Sequence, residues 1–163
     1  MKKTIIILSL ITLPLLGMAQ SKISAETSFG NFNIGKDYGA NVEVGVTYHF
    51  SEQTALKLSG LGGKLENRPT NIDYQVLKFA LHSEQKIISS KQIEFCLLFG
   101  ISYLSVENNL PLEKNDFTGI DLGTTINIFP KSKWGLGVKI VSTYAYDAPG
   151  GILQANGFVS YRF

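Results

Sequence analysis

The side chains able to do chemistry are few. The two histidines are His49 and His82, and the sole cysteine is Cys96. In "HFS", His49 and Ser51 stand one residue apart, a general base near a nucleophile. Such a pair works only when a further group orients the base. Ser51 opens the turn-like stretch "SEQT", where a serine more readily caps a turn. His82 and Ser83 are sequence neighbours and would point to opposite faces of a strand. His49, His82 and Cys96 show no metal-ligand spacing, and the expected role of Cys96 is to fill interior space. "GLGGK", from Gly60 to Lys64, lacks the residues and the strand-helix setting of a phosphate loop. Its glycines are expected to let a strand bend or turn. No catalytic, cofactor-binding or metal-ligating residue is therefore assigned.

What remains is a set of charges at strand-like positions. Glu26, Glu43, Glu94 and Asp121 face Lys57, Lys78, Lys139 and Arg162, four acids against four bases. Their expected chemistry is structural. A low-dielectric interior tolerates charge only when it is paired, so these eight are expected to form an ion-pair network.

The elements that must position them begin after a leader. Lys2 and Lys3 precede the apolar run "TIIILSLITLPLLGMA", and Gly17 and Ala19 supply small residues before a cleavage point. Residues 1–19 thus read as a secretory signal peptide, too short and too Pro-interrupted for a membrane helix. Removing 19 of 163 residues leaves 144, one domain over 20–163. The whole chain carries 15 basic and 13 acidic residues. Without Lys2 and Lys3 the balance is 13 to 13, and nothing is basic enough for nucleic acid. A single cysteine allows no internal disulfide. No later stretch is long enough for an apolar helix, so any membrane crossing must use strands.

Period-two alternation dominates the rest of the chain. From Ala40 the even positions read Ala, Val, Val, Val, Tyr, Phe, opposite Asn41, Glu43, Gly45, Thr47 and His49. Similar strands are expected over Ile93–Tyr103, Ile120–Ile128, Trp134–Val141 and Leu153–Phe163. Three less regular ones lie near Lys22–Phe32, Thr54–Lys64 and Ile72–Glu84. In the last of these, Tyr74 and Val76 are even but Leu77, Phe79 and Leu81 are odd, which predicts a bulge near Val76. Short turns at one end and mostly longer connections at the other predict an all-β, eight-stranded antiparallel up-and-down β-barrel.

Alternation alone does not say which face is wet. Three features place the apolar face on lipid, making a transmembrane β-barrel. Gly45, Gly100, Gly119, Gly123, Gly135 and Gly137 all share the polar face, where a narrow filled interior needs room. The charges balance. Aromatic residues gather at both strand ends, as in the girdles of a membrane barrel. Tyr48, Phe50, Phe129, Trp134, Tyr161 and Phe163 lie by the short turns. Phe32, Tyr38, Tyr74, Tyr103, Phe117, Tyr144 and Tyr146 lie near the long loops. A lumen so filled predicts negligible conductance.

The ending "VSYRF" resembles the C-terminal signature of bacterial outer-membrane barrels, an aromatic terminus with alternating apolar residues before it. Here Tyr161 and Phe163 carry it, with Val159, Ala155 and Leu153 behind them. The whole mature chain looks like the small OmpA/OmpX-type barrels, and "VEVGVTYHFSEQTALKLSG" resembles hairpins of the outer membrane protein beta-barrel domain family. The "MAQ" leader ending resembles those of Bacteroidota. The resemblance implies an outer-membrane location among outer-membrane lipid. It also implies biogenesis through periplasmic chaperones and the barrel-assembly machinery, with the loops near Lys36-Asp37, Glu66–Asn71, Glu107–Asp116 and Asp147–Gly151 facing outward to an unknown surface ligand. A structural or surface-interaction role is expected. Two other readings stand beside it: a lipid-modifying enzyme, because lipid A deacylases of this architecture use a His-x-Ser pair, and a soluble periplasmic barrel carrying an apolar ligand.

Overall fold

The computed structural model describes residues 22–106, 116–130, 132–146, 148 and 150–163. The signal peptide assigned to 1–19 lies outside the described residues. So do Glu107–Asn115, Asp147 and Pro149 of the expected loops. Eight antiparallel strands form one closed up-and-down barrel. They are β1 (Ile23–Ile34), β2 (Asp37–His49), β3 (Thr54–Asn67), β4 (Ile72–Ser89), β5 (Ile93–Val106), β6 (Asp116–Ile128), β7 (Trp134–Tyr144) and β8 (Ile152–Arg162). β1 pairs β8, with Asn31 opposite Ala155, so no strand edge is left open.

The register fixes the shape. Strand partners followed around the barrel lead from Ile23 through Tyr48, Leu56, Ser83, Phe99, Leu122, Ser142 and Leu153. They return to β1 at Asn33, ten residues on (33 − 23), a shear number of ten. Eight strands with that shear tilt by about 40° around a radius of about 8 Å. Side chains alone fill such an interior.

Alternation decides which residues do so. Val44, Phe99 and Leu122 are 60%, 58% and 59% exposed on the outer wall, while Lys57 and Asp121 are 0% exposed inside it. On β5 the outward run from Ile93 to Tyr103 spans ten residue steps (103 − 93). At about 3.3 Å per residue and a tilt of about 40°, that is about 25 Å of barrel height, the apolar thickness of a membrane barrel.

Three expectations are corrected. The phase of β4 does not change: Tyr74, Val76, Lys78, Ala80 and His82 all point inward. Val76 sits in unbroken register with Gly63 and Val106, and the irregularity lies instead between Lys86 and Ile88. The apparent break arises because the lumen itself becomes apolar toward the long-loop end. For the same reason Phe32, Tyr74 and Phe117 are buried inside the barrel and do not belong to an outer aromatic belt. Tyr38, Tyr103, Tyr144 and Tyr146 do lie exposed at that end. Finally, two of the connections expected to be long are tight. Gly35, at φ 60°, and Lys36 alone join β1 to β2, with glycine at the position a type II′ hairpin asks for. Residues 68–71 join β3 to β4.

Candidate functional site: the barrel lumen and its two ends

The lower and middle lumen is ionic. Lys57 Nζ donates to Glu26 Oε1 at 2.6 Å. Lys139 Nζ bridges Glu26 at 3.2 Å and Glu43 at 2.7 Å. Glu43 also accepts from Gln154 Nε2, and the Lys57 ammonium lies 5.8 Å from the Phe158 ring centroid. Higher up, Asp121 is the hub. Its carboxylate meets Lys78 at 3.0 Å and His82 Nε2 at 2.7 Å, and accepts from Ser102 at 2.8 Å and Thr143 at 2.6 Å. Asn41 and Asn156, on the two strands that flank β1, exchange amide hydrogen bonds of 2.9 and 2.8 Å over Gly30. These groups come from all eight strands, so together they tie distant parts of the chain.

Glycine makes the crowding possible. A Cβ on Gly100 would come within 2.6 Å of His82 Cδ2, and one on Gly137 within 2.7 Å of Phe158 Cε1. Both glycines keep the inner wall flat under a bulky lumen side chain.

Of the eight charges named from the sequence, Glu26, Glu43, Lys57 and Lys139 meet in one cluster, and Lys78 with Asp121 in a second. Glu94 meets neither. It pairs with Lys86 at 2.9 Å near the short-turn end and accepts from Asn127 at 3.1 Å. Arg162 lines the short-turn mouth, beside a cavity of about 40 Å³ that it shares with Glu84, Glu94 and His49. Sequence reasoning missed Lys86, His82, Gln154 and the hydroxyls of Ser102 and Thr143. Their inward phase was readable; that they would converge on carboxylates was not, because neighbouring strands come together only through the register.

The chemistry available is limited. Ser51 Oγ accepts from the Gln53 and Thr54 amides at 3.2 and 3.0 Å, capping its turn. His49 Nε2 instead lies 3.2 Å from Ser24 Oγ, part-buried at the short-turn mouth. Ser102 donates to Asp121, the partner of His82, so serine and carboxylate are joined without a serine–imidazole contact. Cys96 is buried, 3.6 Å from Glu94 Oε1. Among the described residues no group of three metal-ligating side chains converges.

The long-loop end is closed differently. Phe32, Leu61, Leu65, Tyr74, Leu104 and Phe117 belong to a buried apolar cork inside the barrel. Above it, Asp37 accepts from the Tyr74 hydroxyl at 3.0 Å and from Asn67 Nδ2 at 3.0 Å, fastening the rim. At the opposite end Tyr161 stands edge-on to Trp134 and Phe163, with ring centroids 4.8 and 5.2 Å apart. The Phe163 amide donates to Ile23 O at 3.1 Å, so the chain end is held in the wall.

No family model matches the chain, and no curated protein matches it. Solved structures do. Neisserial surface protein A aligns with a TM-score of 0.64 at 11% identity, over 86% of this chain and 96% of that one. Ail, the attachment invasion locus protein of Yersinia pestis, gives 0.61 at 12%, over 89% and 99%. Ail has also been solved with the heparin analogue sucrose octasulfate. The outer membrane enzyme PagL gives 0.55 at 12%, over 86% and 99%. At these identities the likeness is one of fold, an eight-stranded barrel of the OmpA/OmpX type.

Proposed function

We propose that the chain is an integral barrel of the bacterial outer membrane, non-catalytic, sealed along its axis, and acting as a structural or surface-interaction protein. The observation that carries this is the inverted polarity. A soluble barrel would bury Val44, Leu97, Phe99 and Ile126, yet all four face outward, while Lys57, Lys139 and Asp121 are enclosed. Exposed in water, that wall would be a continuous apolar patch with a strong tendency to associate. In a bilayer it is the side that lipid solvates. Cork and ion-pair layers lie in series, so water and ions meet a dry stretch at the long-loop end. The aromatic trio Trp134, Tyr161 and Phe163 suits the interface at the short-turn end, and Tyr161 with Phe163 is the segment we expect chaperones and the assembly machinery to read. The surface ligand would be met at the long-loop end, where Lys36, Arg68 and Tyr146 are exposed.

Heat-modifiability tests this. After detergent extraction, unboiled protein should migrate differently from boiled protein on a gel. Identical migration, or full extraction without detergent, would contradict a membrane barrel.

The second reading, a lipid-modifying enzyme, is favoured by one observation, the shared fold with PagL. It needs a serine–histidine pair open to lipid near the long loops. The two histidines are elsewhere, His82 on Asp121 inside the lumen and His49 at the short-turn mouth. Release of fatty acid from lipid A by the purified barrel would establish this reading over the first.

A further inference from the structure

Two grooves indent the apolar outer wall, each floored by a glycine. One lies over Gly157 of β8, between Phe29, Leu136 and Val159, with a volume of about 490 Å³. The other lies over Gly62 of β3, between Phe29, Val42 and Leu77, with a volume of about 330 Å³. Gly157, Phe29, Val42, Gly62 and Leu77 are consecutive partners in the register, so Phe29 is the ridge between the two. These glycines differ from those of the lumen. A Cβ on Gly62 would have Leu77 Cδ2 at 3.8 Å as its only neighbour, and one on Gly157 would have Gly137 O at 4.0 Å. Packing within the barrel therefore does not require either glycine. The depressions are open to something outside.

The grooves also differ in charge. The groove over Gly62 runs up to Lys64 and Gln75. There the outer wall turns from apolar to polar: Phe29 is followed by Asn31, Gly62 by Lys64, and Leu77 is preceded by Gln75. Lys64 therefore stands at headgroup depth, directly above an apolar trough. Its ammonium is 2.5 Å from Asp73, but the two side chains are 67% and 52% exposed. An exposed pair is weak and exchanges readily for another anion. The groove over Gly157 has no cation in its lining.

We propose that the groove over Gly62 seats one acyl chain of a net-anionic lipid, one whose phosphate carries no compensating cation, from the leaflet at the long-loop end, with Lys64 donating to that phosphate. The chain lies on Gly62 and is flanked by Phe29, Val42 and Leu77. Lys64 exchanges or shares Asp73 for a phosphate oxygen. This rests on the membrane reading above. The groove over Gly157 would take chains without regard to headgroup, and so serves as an internal control.

The test is lipid retention in native mass spectrometry, using detergent-released barrel offered dipalmitoyl phosphatidic acid or dipalmitoyl phosphatidylcholine. Each sample is first checked for heat-modifiable migration, which tests the membrane reading separately. Wild type should retain phosphatidic acid in preference. Lys64→Gln should lower that preference about fivefold, the worth of one lysine facing an anionic lipid surface. Asp73→Asn, which frees Lys64, should raise it. Gly62→Leu should abolish it by filling the trough, and Gly157→Leu should leave it unchanged. Equal retention of both lipids by a folded wild-type barrel would overturn the proposal without touching the membrane reading. So would an unchanged preference in Gly62→Leu. A wild-type dimer that Gly62→Leu converts to a monomer would assign the groove to a second copy and overturn the lipid site.

Discussion

The two ends of the lumen solve one problem in opposite ways. Around Glu26, Glu43, Lys57 and Lys139 the interior is filled by charge, each group satisfied by partners from other strands. Around Phe32, Leu65, Tyr74 and Leu104 it is filled by apolar groups, with the polar contacts pushed up to Asp37 at the rim. The same backbone alternation supplies both, so phase determines which residues point inward but not whether they are polar. The difference teaches where each kind of damage should be felt. An ionic layer is specific and unforgiving, because removing one partner strands the others in low dielectric. An apolar layer loses contacts and gains a cavity, and part of that loss can relax.

The largest effect is therefore expected in the ionic half. Lys139→Met leaves Glu43 without its lysine and Glu26 with one, and should destabilise the barrel by about 3–5 kcal/mol, read as a lower urea midpoint in vesicles. A cost no greater than that of a surface substitution would show that water penetrates the layer. In the apolar half, Leu104→Ala should cost about 2–4 kcal/mol by the same measurement. Because the Asp121 layer lies beneath the cork, Leu104→Ala should still give no steady conductance in planar bilayers. A clear channel in wild type would break the comparison altogether. At the rim, Tyr74→Phe removes the hydrogen bond to Asp37 while keeping the ring in the cork, and should cost about 1–2 kcal/mol. The smallest effect is expected outside both halves. Ser51→Ala removes a turn cap and should cost about 0.5–1 kcal/mol. Any lipid hydrolysis measured for wild type should survive that change; abolition would make Ser51 a nucleophile.

Much of this architecture was legible in the sequence, for a physical reason. The strand period is two, and eight segments display it, so strand number, closure and the outward face of Val44, Phe99 and Leu122 follow from local pattern. The cork was visible only as an anomaly. Tyr74 and Val76 kept the inward phase but were apolar, and a rule equating the polar face with the lumen turned that into a bulge. Strand ends were also misread. Asp37–Gly39 looks like a loop, but Gly35 completes the reversal earlier and frees those residues to pair with Phe32–Ile34 and, from Tyr38 on, with β3. Which charges meet was beyond the sequence altogether. Lys78 on β4 reaches Asp121 on β6 over the intervening β5 because of the stagger of the strands, a property of the sheet and not of any segment, and Lys86 meets Glu94 through the irregular register of the β4–β5 hairpin.

The central claim is that the apolar wall faces hydrocarbon. The most direct measurement is spin-label accessibility at Val44→Cys and Leu122→Cys, each in a Cys96→Ser background and reconstituted in vesicles. Both labels should collide readily with dissolved oxygen and hardly at all with a water-soluble nickel chelate. The reverse order at both positions would mean that the wall is in water, and the membrane assignment would fall.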